Sequence, residues 1–317
     1  MQKSIAIFGE VLLDEFPDGV VIGGAPYNVA RSLACFGADP LMISRTGQDA
    51  YAERIQQDMR MAGMRDNGIQ TDALHPTGRV VVTLNADQPH SHSFHIVRDQ
   101  AYDYIDGNQA RLHLVQYLEE RRCVPEQTIF YFGTLAQRQT TSRAALRTLL
   151  TETKAKCYLD LNLRQQEVGE DIIREAIAAA DILKINDDEL RVILAMYPAL
   201  ETFAEASSTV FPSDSLLKAI RIQLGLQALI VTLGAEGYAY TDQQDTVLRG
   251  KPQRAITVAD TVGAGDAFSA VFLLGLLNQW PVAVTLNRAQ AFAGAICEIR
   301  GAAGPQTLYQ EWQQAWQ

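Results

Sequence analysis

The chain has 317 residues, 47% of them hydrophobic, enough to bury the core of one large α/β domain or two smaller ones. Its 27 basic and 37 acidic residues leave a net charge of −10, which argues against nucleic-acid and anionic-membrane partners, since both demand a basic face. A small anionic ligand is still compatible, because one turn of backbone amides can hold a phosphate inside an acidic protein.

The four cysteines are scattered without a CxxC pair, so they read as reduced core residues. The opening MQKSIAIFGEVLLDEF reads as neither a signal peptide nor a membrane span, and no later segment is long and apolar enough to cross a bilayer. The expectation is a cytoplasmic protein.

In chain order, Ser4–Phe8 is a short apolar run stopped by Gly9, which suits a buried strand. Residues 10–24 read as a strand pair broken at Pro17-Asp18-Gly19. Helical spacing returns over 27–36 and ends at Gly37; a strand follows at 41–44 and a helix at 51–62. Between Arg79 and Val97 the period becomes two. Val80, Val82 and Leu84 face Phe94 and Ile96 across the polar turn 86–89, giving a hairpin with one wet face. With 10–24 it suggests a small sheet standing off the main body. All five histidines fall between His75 and His113. The alternation puts His92 and His95 on opposite faces and no cysteine is near, so they do not read as a zinc site.

From Thr128 onward, strand-like runs (129–132, 156–160, 182–185, 228–233) alternate with helical ones (142–153, 171–179, 188–196, 215–224). That order implies a parallel sheet covered on both faces. Residues 197–213, rich in Ser, Thr and Pro, read as a surface insertion.

Chemistry concentrates at Asp260-Thr261-Val262-Gly263-Ala264-Gly265-Asp266, followed by an apolar stretch. A small-residue turn opening into a buried helix lets backbone approach a ligand, and its first amides are free donors at the positive dipole end. Asp266 would repel a phosphate as a ligand, but beside one it suits a general base that takes a proton from an attacking hydroxyl. Its bland alternative is a helix cap. Three further clusters fall where strands end. Asp160-Leu161-Asn162-Leu163-Arg164 is expected to alternate its three polar side chains toward one side. Asn186 and Glu189 place an amide and a carboxylate three apart, able to hold a hydrated Mg²⁺ or to begin a helix. Thr232 to Gly237 forms a glycine-bounded turn fit to border a nucleotide or simply to turn.

Two signatures together resemble the ribokinase-type (PfkB) carbohydrate kinase family over nearly the whole chain. The first is Gly23-Gly24-Ala25-Pro26-Tyr27-Asn28-Val29-Ala30 with Gly37 and Gly47-Gln48-Asp49; the second is Asp260 to Asp266. The resemblance implies a single α/β domain over 1–317: a three-layer α/β/α ribokinase-like fold with a mainly parallel sheet and a small β-sheet lid from about 10–24 and 79–103. It implies transfer of the ATP γ-phosphate to a primary sugar hydroxyl with Mg²⁺, and leaves room for K⁺ beside 260–262 and Gly301. Residue by residue, Asp266 resembles the catalytic base, and Gly263, Ala264 and Gly265 the anion hole. Asp14, Gly24, Asn28, Arg98 and Arg164 match substrate-side positions. Asn186, Glu189, Thr232, Gly234 and Gly237 match the nucleotide side, with Asn186 and Glu189 near magnesium through water.

Gly-Gly-Ala-Pro with Gly9-Glu10-x-x-x-Asp14 is similar to fructokinases. A 2-keto-3-deoxygluconate kinase is the rival, and a non-catalytic sugar or nucleotide sensor is the alternative of another class. A homodimer through the apolar lid face is a further expectation.

Overall fold

The computed structural model describes residues 3–84, 92–164, 167–203, 210–252 and 257–317. Its described strands are β1 (Ser4–Phe8), β2 (Leu12–Phe16), β3 (Gly19–Gly23), β4 (Leu41–Thr46), β5 (Ile69–Thr71), β6 (Gly78–Leu84), β7 (His92–Ile96), β8 (Thr128–Phe132), β9 (Lys156–Asp160), β10 (Ile182–Asn186), β11 (Ala228–Thr232), β12 (Tyr238–Asp242) and β13 (Val247–Gly250). The large sheet runs β13-β12-β11-β10-β9-β8-β1-β4-β5. It is parallel from β11 to β5, and β12 and β13 close one edge antiparallel.

Ten described helices cover it: α1 (Ala25–Cys35), α2 (Ala50–Met61), α3 (Gly107–Arg121), α4 (Thr140–Thr153), α5 (Glu170–Ala178), α6 (Asp187–Met196), α7 (Asp214–Gln223), α8 (Ala264–Asn278), α9 (Val282–Cys297) and α10 (Gln306–Ala315). Side-chain alternation along each strand builds two cores. Phe130 and Phe132 of β8 pack with Leu114, Leu149, Ile173, Leu190 and Leu217 from α3 to α7. Ile129 and Tyr131 face the opposite side, with Leu33, Ile55, Phe268, Phe292 and Tyr309 from α1, α2 and α8 to α10. The result is the expected three-layer α/β/α arrangement. No described helix is long and apolar enough to cross a membrane.

The 10–24 strand pair and the hairpin meet in a second sheet of order β3-β2-β6-β7, in which β2 pairs β6 in parallel. The hairpin register is the expected one, Val80 opposite Ile96 and Val82 opposite Phe94. The turn 86–89 and His90 lie outside the described residues.

Two parts of the architecture depart from the sequence expectation. The antiparallel edge interrupts the parallel order because β11 and β12 are joined by a tight Gly234–Glu236 turn, too short for a crossover. Helix α3 had no sequence counterpart. Its buried positions Ala110, Leu114, Tyr117 and Leu118 keep helical spacing, but Leu112 and Val115 sit on its exposed side and blur the apolar stripe.

The chain moves outward from β1 through β4 to β5, then returns to β8 and moves the other way through β9, β10 and β11. The crossovers therefore diverge at the β1/β8 pair. In open α/β sheets the crevice beyond the carboxyl ends at such a point is where ligands bind.

Candidate active site

Gly263 caps α8 in the left-handed region at φ 80°, and a Cβ placed on it would lie 2.4 Å from the Cα of Ala302. Only glycine meets both demands. The turn then presents the start of a long apolar helix. The N–H of Ala264 turns back onto the Thr261 carbonyl at 3.3 Å, while those of Gly265 and Asp266 have no acceptor among the described residues. Two free amides at a helix N-terminus make a site for negative charge.

Asp266 stands half-buried in the first turn and accepts a hydrogen bond from Asn28 Nδ2 at 2.8 Å on Oδ2. Gly24 makes this contact possible: at φ 103° it begins α1, and its carbonyl accepts the Asn28 N–H at 2.9 Å. Burial pushes the Asp266 carboxyl up to about 6, and the neighbouring Asp160 adds to the rise. The Asn28 bond, Lys184 and Arg164 hold it back. A base must be ionised to act, so activity is expected above this value and is lost as pH falls through about 6. A kcat/KM profile flat down to about pH 4.5 would remove Asp266 from the role.

Asp160 corrects the expected alternation. It is fully buried, accepts Lys184 Nζ on both oxygens at 3.0 and 3.1 Å, and takes the Ser269 hydroxyl at 2.8 Å. Ser269 in turn lies 3.1 Å from the Tyr158 hydroxyl. The acid therefore faces α8 beneath the turn instead of the crevice. Asn162, at φ 39°, then breaks the strand geometry, so period-two alternation cannot carry past Leu161. Arg164 emerges exposed, and its charge draws down the carboxyls of Glu10, Asp14 and Asp266. Asp14, on β2 of the small sheet, is raised to about 6 by burial.

Three groups were not assigned from sequence. Glu10 follows the carboxyl end of β1, is 4% exposed, and its Oε2 has no partner among the described residues. Burial pushes it to about 7. Lys184 was visible as one cation in an apolar strand run. Arg138, six residues beyond β8, carried no sequence signal. The Arg98 side chain is 71% exposed and, among the described residues, pairs with Glu167 at 3.6 Å.

On the other side of the crevice, Asn186 and Glu189 form a reciprocal cap on α6. Asn186 Oδ1 accepts the Glu189 N–H, and Glu189 Oε2 accepts the Asn186 N–H, both at 2.8 Å. Glu189 Oε1 also accepts the Leu163 N–H at 2.7 Å, tying this cap to the Arg164 loop. Each carboxylate oxygen accepts one backbone N–H and keeps lone-pair capacity that a water of a hydrated ion could use. Among the described residues no three His, Cys, Asp or Glu side chains gather as a metal cage. Thr232 ends β11, with its hydroxyl on the Ile185 carbonyl at 3.3 Å, and Gly234 and Gly237 bound the turn that follows.

A family profile described as "pfkB family carbohydrate kinase" matches residues 6–307. The chain belongs to the pfkB family of carbohydrate kinases. It is a sugar phosphotransferase. Among curated relatives, the fructokinase of Escherichia coli is 25% identical over 293 residues, covering 87% of this chain and 85% of that one. Fructokinase-1 of Oryza sativa subsp. japonica is 27% identical over 296 residues, covering 87% and 83%. Among solved structures, a fructokinase from Xylella fastidiosa with bound ATP superposes with a TM-score of 0.79 at 20% identity, over 100% of this chain and 99% of that one. This pfkB kinase thus shares the fold of a fructokinase, and the family match spans both the Asn28 helix and the Asp266 turn.

Proposed function

We propose that this kinase is a fructokinase that uses ATP and Mg²⁺ to phosphorylate a primary hydroxyl of fructose. The observation that carries the proposal is the Asn28–Asp266 contact at the mouth of the anion turn: an ionisable carboxyl stands beside two free amides and against α1. The relatives named fructokinase supply the sugar. In the reaction, the sugar hydroxyl oxygen bonds to the γ-phosphorus as the bond to ADP breaks, and the hydroxyl proton passes to Asp266. The Gly265 and Asp266 amides take up charge that develops on the transferring group. Asp14, Gly24, Asn28 and Arg164 hold the sugar end, Thr232, Gly234 and Gly237 border the nucleotide, and Asn186 and Glu189 would hold Mg²⁺ through water. When bound, that ion neutralises phosphate charge.

The small sheet acts as a lid that excludes water, and its apolar face is the proposed contact for a homodimer. A K⁺ site fits the 260–262 loop, which Asp260 Oδ2 ties to the Gly301 N–H at 3.0 Å. We also place the enzyme in the cytoplasm, in keeping with four free cysteines.

An ADP-release assay on fructose, 2-keto-3-deoxygluconate, ribose and other ketohexoses tests the assignment. Fructose is expected to give the highest kcat/KM. A preference for ketodeoxygluconate would replace fructose, and sugar binding without turnover would make the protein a sensor.

A further inference from the structure

Arg138 makes five side-chain hydrogen bonds near the crevice, and nothing in the phosphotransfer chemistry uses it. Only 6% exposed, it lies on the loop beyond β8, at the switch point of the large sheet. Its Nη2 donates to the Val97 carbonyl at 2.7 Å, to Asp103 Oδ2 at 2.8 Å and to the Tyr102 hydroxyl at 2.9 Å. Nε donates to Asp103 Oδ1 at 2.8 Å, and Nη1 to Glu167 Oε2 at 2.8 Å. The guanidinium also packs over the Tyr102 ring, 5.3 Å from its centroid.

These partners belong to three separate parts of the chain. Val97 is the first residue beyond β7, where the chain leaves the small sheet. Tyr102 and Asp103 form the short 3₁₀ turn after it. The Glu167 N–H donates to the Arg164 carbonyl at 2.8 Å, which ties Glu167 to Arg164. Two carboxylates already neutralise the one cation, so Arg138 is not poised to take an anionic substrate group. A planar fork of five donors can hold several segments in one register, which an ammonium cannot.

We propose that Arg138 is a positioning residue that fixes the Arg164 loop relative to the small sheet, so that Asp14 and Arg164 meet the sugar in a set geometry. The inference rests on the kinase assignment above. It predicts that losing the clamp weakens sugar use while leaving the nucleotide side alone.

The test compares wild type with Arg138→Gln, Arg138→Lys and Glu167→Gln, on the sugar that wild type phosphorylates best. Arg138→Gln is expected to raise the sugar KM at least tenfold and lower kcat, with the ATP KM within twofold. Arg138→Lys should recover little, because one ammonium cannot span the partners. Glu167→Gln, which loosens the Arg138 and Arg98 contacts of Glu167 and leaves the Asp103 and Val97 contacts of Arg138 in place, should move the sugar KM in the same direction by a smaller factor. A folded Arg138→Gln protein with sugar KM and kcat within twofold of wild type overturns the proposal, as does an equal rise in both KM values. Should Arg138→Gln fail to fold, Glu167→Gln decides, and an unchanged sugar KM there is the overturning result. If wild type turns over no sugar in the panel, the kinase assignment fails instead, a distinct outcome.

Discussion

Asp266→Asn is expected to lower kcat by about 10²–10⁴ while leaving ATP affinity within a few-fold, because the amide keeps the shape but cannot accept the hydroxyl proton. The same change should stabilise the fold at neutral pH. In the folded chain burial raises the Asp266 carboxyl from 3.8 to about 6, so ionising it there is harder than in the unfolded chain. The penalty is absent below 3.8, grows as pH rises toward 6, and is constant above. At about 1.36 kcal/mol per unit, and discounted because the group is half-exposed, it amounts to roughly 1–3 kcal/mol. The Asn28 contact survives in the variant, since the new amide oxygen still accepts Nδ2. Paired thermal melts at about pH 8 and about pH 4, on either side of the titration, separate the effects. The Asp266→Asn protein should melt higher than wild type under the alkaline condition and close to it under the acidic one. Lower stability at the alkaline pH, or an unchanged kcat, would show that the carboxylate serves the fold and not the chemistry.

Such a group is legible in sequence because its surroundings are local. The glycines, the small residue and the acid that make the turn are consecutive, and helix α8 follows directly. The period-two hairpin and the alternating βα units were legible for the same reason: each depends on a pattern within a few residues. What stayed hidden is set by distant parts of the chain. Asp160 reads as a crevice residue until β10 brings Lys184 beside it and α8 brings Ser269, and then it is a buried partner of both. Arg138 collects acceptors from 97, 102, 103 and 167, none of them within helical or strand spacing of it. Glu189 is the instructive middle case. Its spacing to Asn186 fits both a magnesium-side pair and a capping box, and in the fold two of its lone pairs are already given to backbone N–H groups.

The second large effect is expected at Lys184. Its ammonium is 7% exposed and meets both oxygens of Asp160, which is fully buried, with Ser269 as the remaining donor. Such a pair contributes little net stability while intact, because two desolvation penalties offset the attraction. Breaking it from one side is costly: Lys184→Met leaves a buried carboxylate with one hydroxyl donor, and should destabilise the fold by about 3–5 kcal/mol. Lys184→Met with Asp160→Asn removes both charges and should recover most of that loss, so the coupling, and not the lost methylenes, is what denaturation midpoints would report.

The pair also reaches the chemistry. A Cβ on Gly265 would come within 2.9 Å of Lys184 Nζ, so the cation lies directly under the anion turn. Lys184 lowers the Asp266 pKa and Asp160 raises it. With the lysine gone the influence that lowers Asp266 is lost, so Asp266 becomes harder to ionise, and the acid limb of kcat/KM should move to higher pH. In the double variant both influences vanish and the limb should return toward its wild-type position. A single variant that loses stability with its acid limb unmoved would confine the pair to holding α8 on the sheet; a limb that moves up and returns would show that the buried pair also sets where the proposed base titrates.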